Sequence, residues 1–189
     1  MHSPWKTLAS RLVYENAWIR VREDRIERPH HGEGIYGVVE IRPSVGVVAL
    51  DARDQVVLVG QWRYPHGKYS WEIPRGGSHD GETDMQAVAA RELREEAGVE
   101  AAHWTPLGGV DVCNGVTTDT QSLYLATELA LCAARPDPEE DIAVRWMPFR
   151  QAVEWSLSGE IAECCSVAAL LRVEALRRTM SPQLQYPRR

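Results

Sequence analysis

The sequence has no apolar run of membrane-spanning length, so no transmembrane helix is expected. It has no basic block apart from the terminal Arg188-Arg189, and its net charge is −6. Nucleic acid is therefore a poor candidate partner, because gripping a phosphate backbone needs a basic footprint. Cysteine is scarce. Cys113, Cys132, Cys164 and Cys165 lack metal-ligand spacing, and the last two are adjacent, which disfavours a disulfide between them. Reduced packing cysteines in a cytoplasmic protein are expected. The opening Met1-His2-Ser3-Pro4-Trp5-Lys6 lacks the apolar core of a signal peptide, in keeping with that compartment. Repeats and low-complexity tracts are also missing. What remains is the composition of an ordinary globular chain: 189 residues, 44% hydrophobic and 25% charged, enough for one domain with a full core and a small appendage.

The stretch from Gly76 to Val99 organises the rest. It reads as a glycine-rich loop, a helix and a glycine stop. Thr83 with Gln86 predicts a capping-box start. Met85, Ala89, Leu93 and Ala97 recur every four residues and predict the buried stripe. Gly98 suits the left-handed position that ends a helix. Glu92, Glu95 and Glu96, at i, i+3 and i+4, fall on one face. Like charges at that spacing cost a helix about 0.2–0.5 kcal/mol per pair. Two explanations stand open. Arg91 and Arg94 balance a solvated face, or the carboxylates gather around a divalent cation, since clustered hard oxygens suit Mg²⁺ or Mn²⁺.

The same stretch resembles the Nudix box, Gly-x5-Glu-x7-Arg-Glu-U-x-Glu-Glu-x-Gly-U with U aliphatic. Arg91, Glu92, Leu93, Glu95, Glu96, Gly98 and Val99 match its second half at every specified position. The first half carries one extra residue. Counting forward from Gly76 reaches Glu82, whereas counting back from Arg91 places Thr83 at the glutamate position and Gly77 at the glycine.

Strands are predicted at Leu12–Tyr14, Trp18–Ile26 and Ile35–Ile41, with a turn at Pro29–Gly32. Val45–Leu50 and Val56–Trp62 predict a hairpin around Asp51–Asp54. Tyr69–Pro74 leads into the box. Trp104–Leu107 and Val110–Val112 read as two short strands, and Gln121–Thr127 and Ala143–Pro148 as clearer ones. Pro136–Asp141 reads as an acidic loop, and residues 149–158 and 162–178 as helices separated by Gly159. This pattern fits an α/β fold, a sheet held between helices. The resemblance implies the Nudix α/β/α sandwich with a mixed sheet and an N-terminal antiparallel strand extension. The expected division is 1–43 for strands serving dimerisation, 44–180 for the Nudix domain and 181–189 for a tail.

Likeness beyond the box narrows the subgroup. Gln61-Trp62-Arg63, then Glu72-Ile73-Pro74-Arg75-Gly76, and the stretches Glu139–Ile142, Ser158–Ile161 and Ser166–Leu171 are similar to ADP-ribose pyrophosphatases. The resemblance implies a homodimer, a nucleotide-sugar substrate and Mg²⁺ or Mn²⁺ bound by Glu92, Glu95, Glu96, Glu140 and the Arg75 carbonyl. Arg91 would orient a box glutamate. Glu140 or its neighbour Glu139 would act as base, although Pro138 occupies the best-matching position, and Glu95 is also placed among the catalytic groups. Arg63 is read either as a phosphate clamp or as an arginine paired with a nearby acid. Glu72 is read as contacting a ribose or as holding Arg75 or the loop. Trp18 and Trp62 are candidates for base stacking or for core and dimer packing. Asp119 is a candidate substrate contact. His66 and His79 lack a zinc-ligand partner.

Relatives usually carry a proline about fifteen to sixteen residues after the box, where this chain has Val112–Thr117. The leading expectation is hydrolysis of ADP-ribose to AMP and ribose 5-phosphate. Another nucleotide (GDP-mannose, a dinucleotide or a nucleoside triphosphate) and a non-catalytic nucleotide sensor remain alternatives.

Overall fold

The N-terminal segment forms three antiparallel strands, β1 (Lys6–Glu15), β2 (Ile19–Arg28) and β3 (Gly32–Ile41), in the order β1-β2-β3, with the apolar and charged residues alternating along β2. Asn16 shapes the first turn, its Oδ1 accepting from the N–H groups of Trp18 and Ile19, each at 2.9 Å. The second turn follows the Pro29–Gly32 expectation, with His30 and Gly32 at φ of 63° and 66°. The computed structural model describes residues 3–134 and 141–180. By contacts the chain divides into Met1–Pro43 with Asp111–Thr120, and Ser44–Val110 with Gln121–Arg189. Within the first unit the later segment adds to β3: the Val39 N–H donates to Val116 O at 2.9 Å, and the Thr118 N–H to Val39 O at 3.0 Å.

Apart from the end residues Asp111 and Thr120, the second unit contains β4 (Ser44–Ala49), β5 (Gln55–Arg63), β6 (Lys68–Glu72), β7 (Arg75–Gly77), α1 (Met85–Ala97), β8 (Val99–Asp111), β9 (Thr120–Leu131), β10 (Ala143–Pro148), α2 (Phe149–Ser158) and α3 (Cys164–Met180). Its strands make two sheets, ordered β7-β4-β9-β8 and β10-β5-β6. The first is mixed, with β4 parallel to β9 and antiparallel to β7.

The expected β4–β5 hairpin does not form. The two strands meet only at a Leu50–Val56 bridge and then enter different sheets. Asp51 turns the chain, its Oδ1 accepting from the Arg53 and Gln55 N–H groups, each at 2.8 Å. The two short strands expected after α1 are one, β8, running past Pro106, Gly108 and Gly109. Arg172 of α3 stabilises that irregular run by donating to Leu107 O at 3.1 Å and Gly109 O at 3.2 Å.

Every residue of β4 is buried, so both of its faces are covered. Val45, Val47 and Ala49 pack with Val88, Ala89, Leu93 and Ala97 of α1. The alternate face of β4, at Gly46 and Val48, remains for α3, which also packs on this strand. Burying one Leu or Val side chain contributes about 1.5–3 kcal/mol, which outweighs the repulsion among the α1 glutamates. Among the described residues no helix is long and apolar enough to cross a membrane.

The helix start differs from expectation. Asp84, not Thr83, is the N-cap, its Oδ1 accepting from the Gln86 N–H at 3.0 Å and the Ala87 N–H at 3.2 Å. Gly98 ends the helix as expected, at φ 64°.

Candidate active site

Local ladder geometry sets the orientation of the Arg75 peptide. The Val47 N–H donates to Pro74 O at 2.9 Å, and the register pairs Gly46 with Arg75. Hydrogen-bonded and non-bonded pairs alternate along an antiparallel ladder. Arg75 therefore occupies a non-bonded position, with its N–H and carbonyl turned away from β4. Its N–H donates to Glu96 Oε2 at 2.8 Å. The carbonyl shares that side of the strand, facing the same helix.

From α1, Glu92 and Glu96 arrive nearly buried, at 8% and 4% exposure. Glycine at 76 is a packing requirement: a Cβ there would land inside the Glu92 carboxylate. Arg91 gathers the acids. Its Nη1 donates to Glu92 Oε1 and Glu95 Oε2, each at 2.9 Å, and its Nη2 to Gly77 O at 3.0 Å. Arg91 Nη2 also meets Glu82 Oε2 at 3.3 Å, and that oxygen accepts from the His79 N–H at 2.6 Å. Glu82 thus reaches Arg91 despite the extra residue. The His79 N–H, followed by the Arg91 charge, holds the Glu82 carboxyl below its ordinary pKa. Burial works against the Arg91 charge, but Glu92, Glu95 and Glu82 keep it protonated.

A second polar chain flanks Arg75. Glu72 is buried and paired with Arg63 through two bonds, Nε to Oε1 at 2.8 Å and Nη2 to Oε2 at 2.6 Å. Arg75 Nη1 lies 3.4 Å from Glu72 Oε2 and 3.5 Å from Glu163 Oε1. Gln121, fully buried, is assigned the amide orientation that satisfies its neighbours, its carbonyl facing Arg75 Nε at 3.2 Å and the Ser44 hydroxyl at 3.1 Å. Burial alone would raise the Glu72 carboxyl, but Arg63 and then Arg75 hold it below its ordinary value.

The structure thus joins Arg75, Arg91, Glu92, Glu95 and Glu96, with Arg63 and Glu72 attached through Arg75. Arg63 is paired with an acid, and Glu72 holds both Arg63 and Arg75. Trp18 and Asp119 belong to the N-terminal unit. Trp18 is 73% exposed and Trp62 61%, so neither is part of a core. Glu139, Glu140 and Pro138 lie outside the described residues. Glu163 and Gln121 join this network without belonging to any motif in the sequence. An acid immediately before a helix start was a signal for the first; nothing local marks the second.

The donors suit a hard divalent cation. Glu92, Glu95 and Glu96 offer carboxylate oxygens along one face of α1, Glu96 at the Arg75 peptide and Glu92 and Glu95 at Arg91, and the missing side chain at Gly76 leaves room for the Glu92 carboxylate against the loop backbone.

Residues 40–167 match the NUDIX domain model, and residues 5–39 match the nucleoside diphosphate sugar hydrolase N-terminal domain. The chain is 32% identical over 175 residues to an ADP-ribose pyrophosphatase of Mycobacterium tuberculosis, spanning 91% of this chain and 84% of the relative. It is 26% identical over 172 residues to a Streptomyces rubellomurinus CMP-5'-(N-acetyl-N-hydroxy-3-aminopropyl)phosphonate hydrolase, spanning 91% and 83%. A crystal structure of an ADP compounds hydrolase superposes with a TM-score of 0.84 at 19% identity, covering 94% of this chain and 96% of that one, which shows a shared fold. Box, fold and family models agree: the chain belongs to the Nudix family and is a Nudix hydrolase.

Proposed function

We propose that the chain hydrolyses the diphosphate bond of a nucleoside diphosphate sugar with Mg²⁺ or Mn²⁺, ADP-ribose being the first candidate and AMP and ribose 5-phosphate the products. One observation carries the reading: the Arg75 peptide turns out of its ladder toward Glu96, while Arg91 draws Glu92 and Glu95 to the same helix face. The match of residues 5–39 to a nucleoside diphosphate sugar hydrolase domain supports the substrate class.

Glu92, Glu95, Glu96 and the Arg75 carbonyl would hold the ions, and Glu140 would add a ligand. Bound divalent ions supply charge neutralisation of the diphosphate and a more acidic water. In the reaction a water oxygen bonds to one phosphorus, the bridging P–O bond breaks and the water proton passes to a carboxylate. Glu95, half-buried and oriented by Arg91, is one acceptor; Glu140 and Glu139 are the others assigned this role. Arg63 and Glu72 form a pair beside Arg75 and are assigned to the substrate, Arg63 to a phosphate and Glu72 to a ribose. Trp18 presents an open ring face suited to a nucleobase, and Asp119 is assigned a substrate contact. The N-terminal unit, with Trp5, Leu12, Val13, Tyr14, Trp18 and Ile35 exposed, supports a homodimer.

The test is turnover of ADP-ribose with Mg²⁺ by the wild type and Glu96→Gln, with ADP-glucose and GDP-mannose alongside. AMP release that vanishes in the variant is the expected result. Cleavage of another sugar nucleotide alone would shift the substrate and tie Val112–Thr117 to specificity. A folded protein that cleaves none of the three refutes the reading.

A further inference from the structure

The N-terminus of α3 grips the segment that carries Arg75 at two points. Ser166 Oγ accepts from the Ile73 N–H at 3.1 Å. Two residues along, Arg75 Nη1 lies 3.5 Å from Glu163 Oε1. The same Glu163 carboxylate caps the helix: Oε1 accepts from the Cys165 N–H at 3.0 Å, and Oε2 from the Ser166 N–H and hydroxyl, each at 2.7 Å. Arg75 is consequently fixed at both ends. Glu72, Glu163 and Gln121 hold its guanidinium, and Glu96 holds its peptide N–H.

Capping does not require this residue. A shorter Ser, Asp or Asn side chain satisfies the first N–H groups of a helix and is preferred there. The longer glutamate adds reach, so that one carboxylate spans from the helix N–H groups to the guanidinium. Its side chain is only 13% exposed, so the ion pair is little diluted by solvent.

We propose that Glu163 is a positioning residue for the metal-holding face: by fixing the Arg75 guanidinium it sets where the Arg75 peptide stands relative to Glu92 and Glu96. The inference rests on the reading above, in which that peptide and the box glutamates hold a divalent ion. It differs in sign from a simple charge effect. Removing the positive charge of Arg75 beside a cation site should, by Coulomb attraction alone, tighten cation binding. If Arg75 positions the peptide, its removal weakens binding instead.

Mn²⁺ affinity by titration calorimetry decides the matter, using the wild type, Glu163→Gln, Arg75→Met and the double variant. Residues that orient metal ligands change affinity by about 10–100-fold, and a ten-fold loss is expected for Glu163→Gln. Arg75→Met is also expected to weaken binding, and the double variant to be no weaker than Arg75→Met, because the two act through one contact. Tighter or unchanged binding by Arg75→Met, additive losses, or wild-type binding by Glu163→Gln would each overturn the proposal. Should Glu163→Gln not fold, Glu163→Asp keeps the cap and the charge but falls a methylene short of Arg75, and the same loss is expected. Glu96→Gln separates the two levels. Mn²⁺ binding that Glu96→Gln abolishes and Glu163→Gln leaves intact ends this proposal alone. Wild-type protein that binds no Mn²⁺, or binding that survives Glu96→Gln, ends the metal reading and this proposal with it.

Discussion

Replacing Gly76 by alanine adds one methyl group at the point where β7 meets α1. The backbone accepts it, since φ at this residue lies outside the left-handed region. On the unfolded side, losing a glycine favours the native state by about 0.4–1 kcal/mol. Against that, the methyl would occupy the space of the Glu92 carboxylate. Overpacking of this kind costs about 1–3 kcal/mol. The carboxylate is the far end of a flexible side chain, so it yields before the backbone does, giving up its 2.9 Å bond from Arg91. The net loss of stability is about 1–2 kcal/mol, and each kcal/mol lowers the unfolding midpoint by about 2–4 °C in a chain of this size. Function should suffer more than stability, because a displaced ligand costs metal affinity about ten-fold or more. Thermal unfolding and Mn²⁺ titration measure the two effects separately. Gly77→Ala is the control, since its methyl meets nothing within 4 Å. Wild-type Mn²⁺ affinity in Gly76→Ala, or equal damage from Gly77→Ala, would refute the argument.

Three further outcomes follow from the geometry. Asp84→Ala should cost about 1 kcal/mol of stability through the lost cap, while Thr83→Ala stays within about 0.5 kcal/mol; denaturant unfolding of the pair tests which residue starts α1. Glu72→Ala strips the acid from Arg63 and Arg75 and should cost about 3–5 kcal/mol; a midpoint close to wild type would mean that the pair carries no weight. Glu82 has a depressed folded pKa, so its contribution is present above the ordinary carboxyl value of 4.5 and fades as pH falls through the lower folded value. The difference in unfolding midpoint between wild type and Glu82→Gln should therefore shrink below that pH, and a gap independent of pH would contradict the assignment.

Helix α1 was legible because its signals agree: a four-residue apolar period, a glycine stop and a dense acidic face. Its first residue was not. Thr83 and Gln86 satisfy the capping-box pattern, but Asp84, one position later, competes for the same N–H groups and takes them. The β4–β5 turn is marked plainly by Asp51–Asp54, yet a turn signal does not say whether the flanking strands pair or part. Here β5 finds longer ladders with β6 and β10. The broken look of β8 came from Pro106, Gly108 and Gly109, whose run is supported by Arg172 from a distant helix. In the candidate site the glutamates were readable from spacing alone. The chain Arg63–Glu72–Arg75–Glu163 was not, because its last link joins residues far apart in sequence through a contact that only the packing of α3 on β4 creates.

The loop before α1 separates length from register. One residue more than the family pattern enters between Gly76 and Arg91, yet Glu82 still meets Arg91 and Asp84 still seats the helix. Glu82 keeps the pattern's spacing from Gly76, so the surplus falls after it, at the Thr83–Asp84 entry to the helix. Glu92 and Glu96 take their positions from the helix and from β4, which lie downstream of the cap and in another part of the sheet. The extra residue leaves the face that carries Glu92 and Glu96 in place. That makes the loop a segment in which an evolving or engineered enzyme can reshape its rim without rebuilding its chemistry.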